Sequence, residues 1–185
     1  FLPDENGKVR AITTKEGDEI PCGFVGLAAG VHANTSLAEA AGIETNRGFL
    51  VDEYLETIVQ DIYATGDCAE LRAPIPGRRA MEAVWYTGKQ MGPILAMTLC
   101  EKPTQYRQKF WFNSAKFIDM EYQVYGDVRN VIQEGETHFF WKHPKQNKSV
   151  RLVYAIDDSR LLGVNLMGIR YRQNVCQKWI EGKAH

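Results

Sequence analysis

The run from Thr57 to Glu70, which includes Ala64-Thr65-Gly66-Asp67, constrains this chain more than any other stretch. Ile58, Val59, Ile62 and Tyr63 suit an extended, half-buried backbone, and Gly66 interrupts that pattern. The pattern predicts a strand ending at Asp67. Ligands of open α/β sheets bind beyond the carboxyl ends of strands, so Asp67 is placed to accept hydrogen bonds from the hydroxyls of a polyol or ribose.

Upstream, Lys8 to Thr14 alternates at period two, Glu16 to Glu19 supplies a turn, and Ile20-Pro21 follows. Phe24 to Gly30 reads as a short buried strand. Asn34, Thr35 and Ser36 offer capping side chains for a helix over 37–41, which stops at Gly42. Arg47 to Asp52 gives another strand. With 185 residues, 44% of them hydrophobic and 24% charged, the chain suits one ordinary domain or two small ones. No apolar run is long enough to span a membrane and no signal peptide opens the chain, so a cytoplasmic location is expected.

The order of these features resembles the return of the chain from the NAD(P) domain to the FAD domain in FAD-dependent pyridine nucleotide oxidoreductases. That order is an acceptor strand, Gly30 to Asn34-Thr35, a short helix, Arg47-Gly48 to Asp52, then Ala64 to Asp67. The likeness is greatest to the rubredoxin, ferredoxin and nitrite reductase flavoproteins. It implies FAD and NAD(P)H as cofactors, with Gly66 at the flavin turn and Asp67 holding the ribityl chain. The family also carries two Gly-x-Gly-x-x-Gly turns for the pyrophosphates, yet no two glycines here lie two positions apart. The resemblance therefore implies the C-terminal portion of a longer flavoenzyme, inactive alone and needing the upstream half of its own chain.

Met81, Val84, Trp85, Gly88, Met91 and Leu95 recur at helical spacing and predict a helix over 78–99, bent or restarted at Pro93. Its amino end suits the electron-rich edge of a reduced flavin ring. By the resemblance, Val84 and Trp85 fall where backbone approaches the flavin, Gln90 matches the family's glutamine, and Glu82 falls where a glutamate helps hold the nicotinamide. On its apolar pattern alone Trp85 belongs in the core, and Glu82 equally reads as a solvated helix residue.

Beyond Lys102-Pro103-Thr104 the character changes. Strands are expected over 117–124, 128–132, 137–141, 149–156 and 161–167, with a hairpin turn at Asp157 to Arg160. A closing amphipathic helix over 169–181 turns Ile169, Val175, Cys176, Trp179 and Ile180 inward. The predicted fold class is thus α/β plus α+β: a partial Rossmann-like FAD/NAD(P)-binding segment over 1–100, then an antiparallel-sheet-plus-helix interface domain over 101–185. The resemblance places such a domain against the flavin and at a homodimer interface, with Trp111, Phe112 and Lys116 near the ring.

Residues 1–100 carry 8 Lys and Arg against 14 Asp and Glu, and residues 101–185 carry 14 against 9. The basic half reads as a solvated surface or as a docking face for an acidic electron-acceptor protein. No nucleic-acid motif accompanies it. Cys22, Cys100 and Cys176 are expected to be small buried thiols, and Cys68 to pack beside the flavin contact. His32, His138, His143 and His185 show no metal spacing. The competing reading is an interaction module that dimerises or docks a redox partner without binding flavin. A hydrolase or transferase has no nucleophile motif or phosphate loop to support it.

Overall fold

The structure is a computed structural model that describes every residue except Lys183 and His185. His185, one of the four histidines read as showing no metal spacing, lies outside the described residues. The chain divides into two compact units, Phe1–His32 and Ala33–His185.

The first unit is an antiparallel meander of β1 (Leu2–Pro3), β2 (Val9–Thr13) and β3 (Glu19–Pro21). The Asp4 carboxylate accepts from the amides of Asn6 and Lys8, 2.9 and 2.8 Å, and so closes the first turn. The alternation from Lys8 therefore forms the expected strand. The buried strand expected over 24–30 does not form: the segment has no regular structure, and Phe24 and Leu27 are 84% and 79% exposed. A strand buried on both faces needs neighbours to satisfy its amides and carbonyls, and no described strand pairs with this one.

The second unit begins with helix α1 (Ser36–Ala40). Its start is held by Asn34, whose side-chain oxygen accepts from the Ser36 amide and hydroxyl. Gly42, at φ 69°, ends the helix and lets the Ile43 amide reach back to the Ala38 carbonyl. Strand β4 (Phe49–Val51) pairs in parallel with β5 (Ala69–Leu71). Between them the expected strand through Ile58 and Tyr63 is replaced by a tight loop with one bridge, Glu56 to Tyr63. Local hydrogen bonding wins there. The Thr57 hydroxyl accepts from the Val59 amide, the Thr57 amide reaches the Ile62 carbonyl, and Asp61 turns the chain at φ 64°. The strand thus follows Asp67 rather than ending at it.

Helix α2 (Trp85–Leu99) is shorter than expected, because residues 78–84 approach it as irregular chain. It continues through Pro93, which is exposed. Glu101 in the left-handed region stops it, the Lys102 amide bonds the Met97 carbonyl, and Pro103 forbids continuation. Val51, Leu55, Ala64, Ala69, Leu71, Met91 and Tyr106 form one core around this helix and the β4–β5 pair.

Five antiparallel strands follow, β6 (Phe112–Phe117), β7 (Met120–Gly126), β8 (Glu136–Lys142), β9 (Ser149–Ala155) and β10 (Leu161–Met167), in the order β6-β7-β10-β9-β8. Helix α3 (Gln173–Glu181) packs on one face of the sheet. The second core joins Tyr125, Leu161, Val164 and Leu166 to Cys176, with Ile169 and Ile180 against it. Three expectations are corrected in this half. The alternating run over 117–124 crosses a two-residue hairpin turn, with Ile118 at φ 57°. The strand expected over 128–132 is absent, since Gly126 at φ 70° ends β7 and Arg129 folds back onto Asp127. The last helix starts at Gln173, and Trp179 lies 42% exposed, stacked on Tyr171.

Candidate functional site

Asp67 lies in a single 3-10 turn, Gly66–Cys68, that leads into β5. Two close approaches hold the turn. A Cβ on Gly48 would lie 2.5 Å from the Cys68 carbonyl oxygen, so only glycine lets β4 pass beneath it. On the other side a Cβ on Gly88 would lie 3.4 Å from Gly66 Cα, and the Gly66 amide points at the Met91 sulfur, 3.3 Å away. The turn and the first half of α2 are therefore in backbone contact. Gly66 itself takes φ 79°, which a side chain would disfavour.

Glu70, three residues on, is buried and clasps the loop before β4. Its carboxylate accepts from the Asn46 side-chain amide at 2.9 Å, the Arg47 amide at 2.8 Å and the Gly48 amide at 2.9 Å. Nothing in the sequence reading singled it out, although an acid inside an otherwise apolar strand, Ala69-Glu70-Leu71, is the available signal.

The groups left open at this turn are polar. The Asp67 side chain is exposed and has no hydrogen-bond or ionic partner among the described residues. Thr65 Oγ1 is buried without a hydrogen-bond partner. Helix α2 starts at Trp85, and Val84 before it supplies no side-chain cap, which leaves the amides of Trp85 and Tyr86 without one. A free carboxylate, an orphaned hydroxyl and an uncapped helix start around one turn suit a ligand that carries both a chain of hydroxyls and an electron-rich ring edge.

Gly66 and Asp67 thus lie on a turn held against the first half of α2, the helix that Val84 precedes and Trp85 opens. Trp85 is 67% exposed rather than in the core, because the first turn of α2 projects it outward. Its ring meets Tyr86 edge-on at 5.1 Å, and Lys89 Nζ lies 4.7 Å from its centroid. Glu82 is 8% exposed, and both its carboxylate oxygens are held by Arg78, at 2.8 and 2.9 Å. Its charge reaches Tyr106, whose phenol is pushed up to about 12 by burial first and by Glu82 second, against an opposing effect of Arg78.

Helix α2 meets the sheet through residues that sequence reasoning passed over. The Tyr86 hydroxyl lies 2.6 Å from Ser114 Oγ, and the Tyr86 ring lies 4.3 Å from Phe112, which continues to Tyr125 at 6.5 Å. The Tyr125 phenol is likewise pushed up to about 12, chiefly by burial. Beside this row opens a cavity of about 810 Å³, lined among others by Tyr86, Phe112, Ser114, Tyr125, Arg170 and Arg172. A single residue, Tyr86, thus faces both the helix start and the cavity. Trp111 and Phe112 are half-buried and Lys116 is exposed.

Cys176 is buried, and burial raises its thiol; Cys22 and Cys68 are half-buried. Cys100 is exposed instead of buried, because it caps the carboxyl end of α2. Among the described residues no group of three His, Cys, Asp or Glu side chains could hold a metal ion. No described helix is long and apolar enough to cross a membrane.

The profile of the pyridine nucleotide-disulphide oxidoreductase family matches residues 3–92. Rhodocoxin reductase of Rhodococcus erythropolis is 32% identical over 162 residues, which are 86% of this chain and 36% of that protein. Rubredoxin-NAD(+) reductase of Acinetobacter baylyi is 40% identical over 70 residues, 38% of this chain and 18% of that protein. The chain thus spans 36% and 18% of these two relatives. The fold is similar to that of an NAD-dependent persulfide reductase from A. fulgidus, with a TM-score of 0.77 over 97% of this chain and 36% of that one at 21% identity. It is also similar to that of an FAD-dependent pyridine nucleotide-disulphide oxidoreductase from Desulfovibrio vulgaris, with a TM-score of 0.71 over 97% and 47% at 25% identity. The chain belongs, through residues 3–92, to the pyridine nucleotide-disulphide oxidoreductase family.

Proposed function

We propose that this chain forms part of an FAD-dependent NAD(P)H oxidoreductase that passes electrons to an acceptor. The observation that carries the reading is the turn at Thr65 to Asp67, with its orphaned hydroxyl and free carboxylate, set against the uncapped start of α2. Members of the family use FAD and NAD(P)H. When bound, FAD supplies the hydride-accepting chemistry. The chain's own work is to orient and to stabilise charge. Asp67 and Thr65 hold ribityl hydroxyls, Gly66 lets the backbone approach, and the first amides of α2, at Trp85 and Tyr86 just after Val84, favour negative charge on the ring edge. Glu82, tied to Arg78, fixes the chain that leads into α2, and its release from Arg78 would be needed before it could touch a nicotinamide.

The pyrophosphate-binding turns belong, on this reading, to an upstream half of the same chain. Residues 101–185 serve as an interface domain, divided from the nucleotide-binding part near residue 100. Its basic surface suits an acidic electron-acceptor protein, in the cytoplasm. The relatives named for rubredoxin and rhodocoxin support a protein as the electron acceptor.

Titration of the purified chain with FAD, followed by flavin absorbance and fluorescence, tests the reading. Binding that Asp67→Ala weakens at least about tenfold, by loss of charge-assisted hydrogen bonds, is the expected result. Absence of binding, or binding indifferent to Asp67→Ala, moves the assignment to an interaction module that holds no flavin by itself.

A further inference from the structure

The cavity of about 810 Å³ beside Tyr86 has a size that suits a small molecule, and its lining has a chemistry distinct from that of the Asp67 turn. One part is a row of rings. The Tyr86 ring lies 4.3 Å from Phe112, and Phe112 and Tyr125 run nearly parallel, 23° apart at 6.5 Å. Tyr86 and Phe112 are only half-buried, so ring surface is left open to the cavity.

The segment between β10 and α3 adds positive charge. Its Tyr171 is pinned to β7 twice: the Tyr171 amide donates to the Gln123 side-chain oxygen at 2.7 Å, and the Tyr171 carbonyl accepts from the Tyr125 hydroxyl at 3.2 Å. Arg170 and Arg172, one on each side of that anchor, both line the cavity. Arg172 has no hydrogen-bond or ionic partner among the described residues. Arg170 has only a loose pair with Glu121, at 3.8 Å with the arginine side chain 80% exposed, and such a pair costs little to exchange. None of the described residues lining the cavity is acidic. The polar floor offers one more donor. Tyr86 and Ser114 share a hydrogen bond of 2.6 Å, which uses one of their two hydroxyl hydrogens and leaves the other for an oxygen of a ligand.

We propose that this cavity binds a small planar aromatic carboxylate. The rings of Phe112, Tyr125 and Tyr86 take the flat apolar body. The guanidinium of Arg172, joined by that of Arg170, takes the carboxylate, whose two oxygens match the fork of an arginine. A phosphate group is the poorer fit, because no glycine among the described lining residues supplies the run of backbone amides that cradles one. The inference stands apart from the flavin reading, which rests on the turn at Asp67 and the start of α2.

Isothermal titration calorimetry of the chain with naphthoate tests it. Binding one to one is expected, with neutral naphthylmethanol and ringless acetate each at least about tenfold weaker, since each keeps only half of the recognition. Arg172→Gln changes an exposed, unpaired side chain. It should weaken naphthoate at least about tenfold and leave naphthylmethanol within about threefold. Phe112→Leu should weaken both naphthalenes about threefold to tenfold, with the far-ultraviolet circular dichroism unchanged. Excess FAD should leave the naphthoate affinity within about threefold, because the two sites are separate. No binding of naphthoate at about 1 mM overturns the proposal, as does binding no tighter than that of acetate or indifferent to Arg172→Gln. Displacement by inorganic phosphate overturns it in favour of a plain anion site. Displacement by FAD overturns it too, by making the cavity part of the flavin site, whereas failure of FAD to bind at all leaves it standing.

Discussion

At the scale of single residues, the turn that carries Asp67 depends on what lies beneath it. Gly48 has no room for a side chain, so Gly48→Ala should cost about 1–3 kcal/mol as the Cys68 carbonyl is pushed aside. Glu70→Gln keeps the shape of the clasp but turns one acceptor into a donor facing the donors of Asn46, Arg47 and Gly48. A loss of about 1–3 kcal/mol in urea unfolding is expected, with the two substitutions non-additive because they act on one loop. The sequence made Asp67 legible, because glycine and aspartate at that spacing are locally determined. Glu70 was not legible, because its partners lie 22–24 residues away and only the folded chain brings them together.

At the scale of elements, strands with strict alternation and clear turns were readable, and runs whose backbone had another option were not. Leu161–Met167 forms where its pattern places it, next to the Asp157 to Arg160 turn. The run through Ile58 and Tyr63 has similar apolar content, yet Thr57 and Asp61 fold it into a loop, and Ile58 ends 61% exposed. Helix α2 was legible in its second half, whereas residues 78–84 are drawn out of helix as Arg78 grips Glu82 and the Lys109 carbonyl. Pro93 sits exposed inside α2 and denies the Lys89 carbonyl its usual partner. Pro93→Ala should therefore raise stability by about 1–3 kcal/mol, read as a higher Tm with unchanged helix content.

At the scale of the whole molecule, each core of the second unit holds one tyrosine whose phenol is raised to about 12, Tyr106 in one and Tyr125 in the other. The unfolded phenol titrates near about 10. A raised folded value means that the folded state favours the neutral phenol. The associated stability is fully present below about pH 10 and is lost as pH rises through about 12. Absorbance at alkaline pH should show these two phenols ionising late and together with unfolding. The exposed stretch around Phe24 and Leu27 should be the first cut by chymotrypsin, leaving the second unit as a resistant fragment by mass spectrometry. Gly48 has a further effect on how the chain finds this arrangement. Sliding β4 by one position against β5 would bring Arg47 or Phe49 under the Cys68 carbonyl, where no side chain fits. Misaligned pairings are thereby rejected by collision, and the Asp67 turn inherits its placement from a spelling check performed during folding.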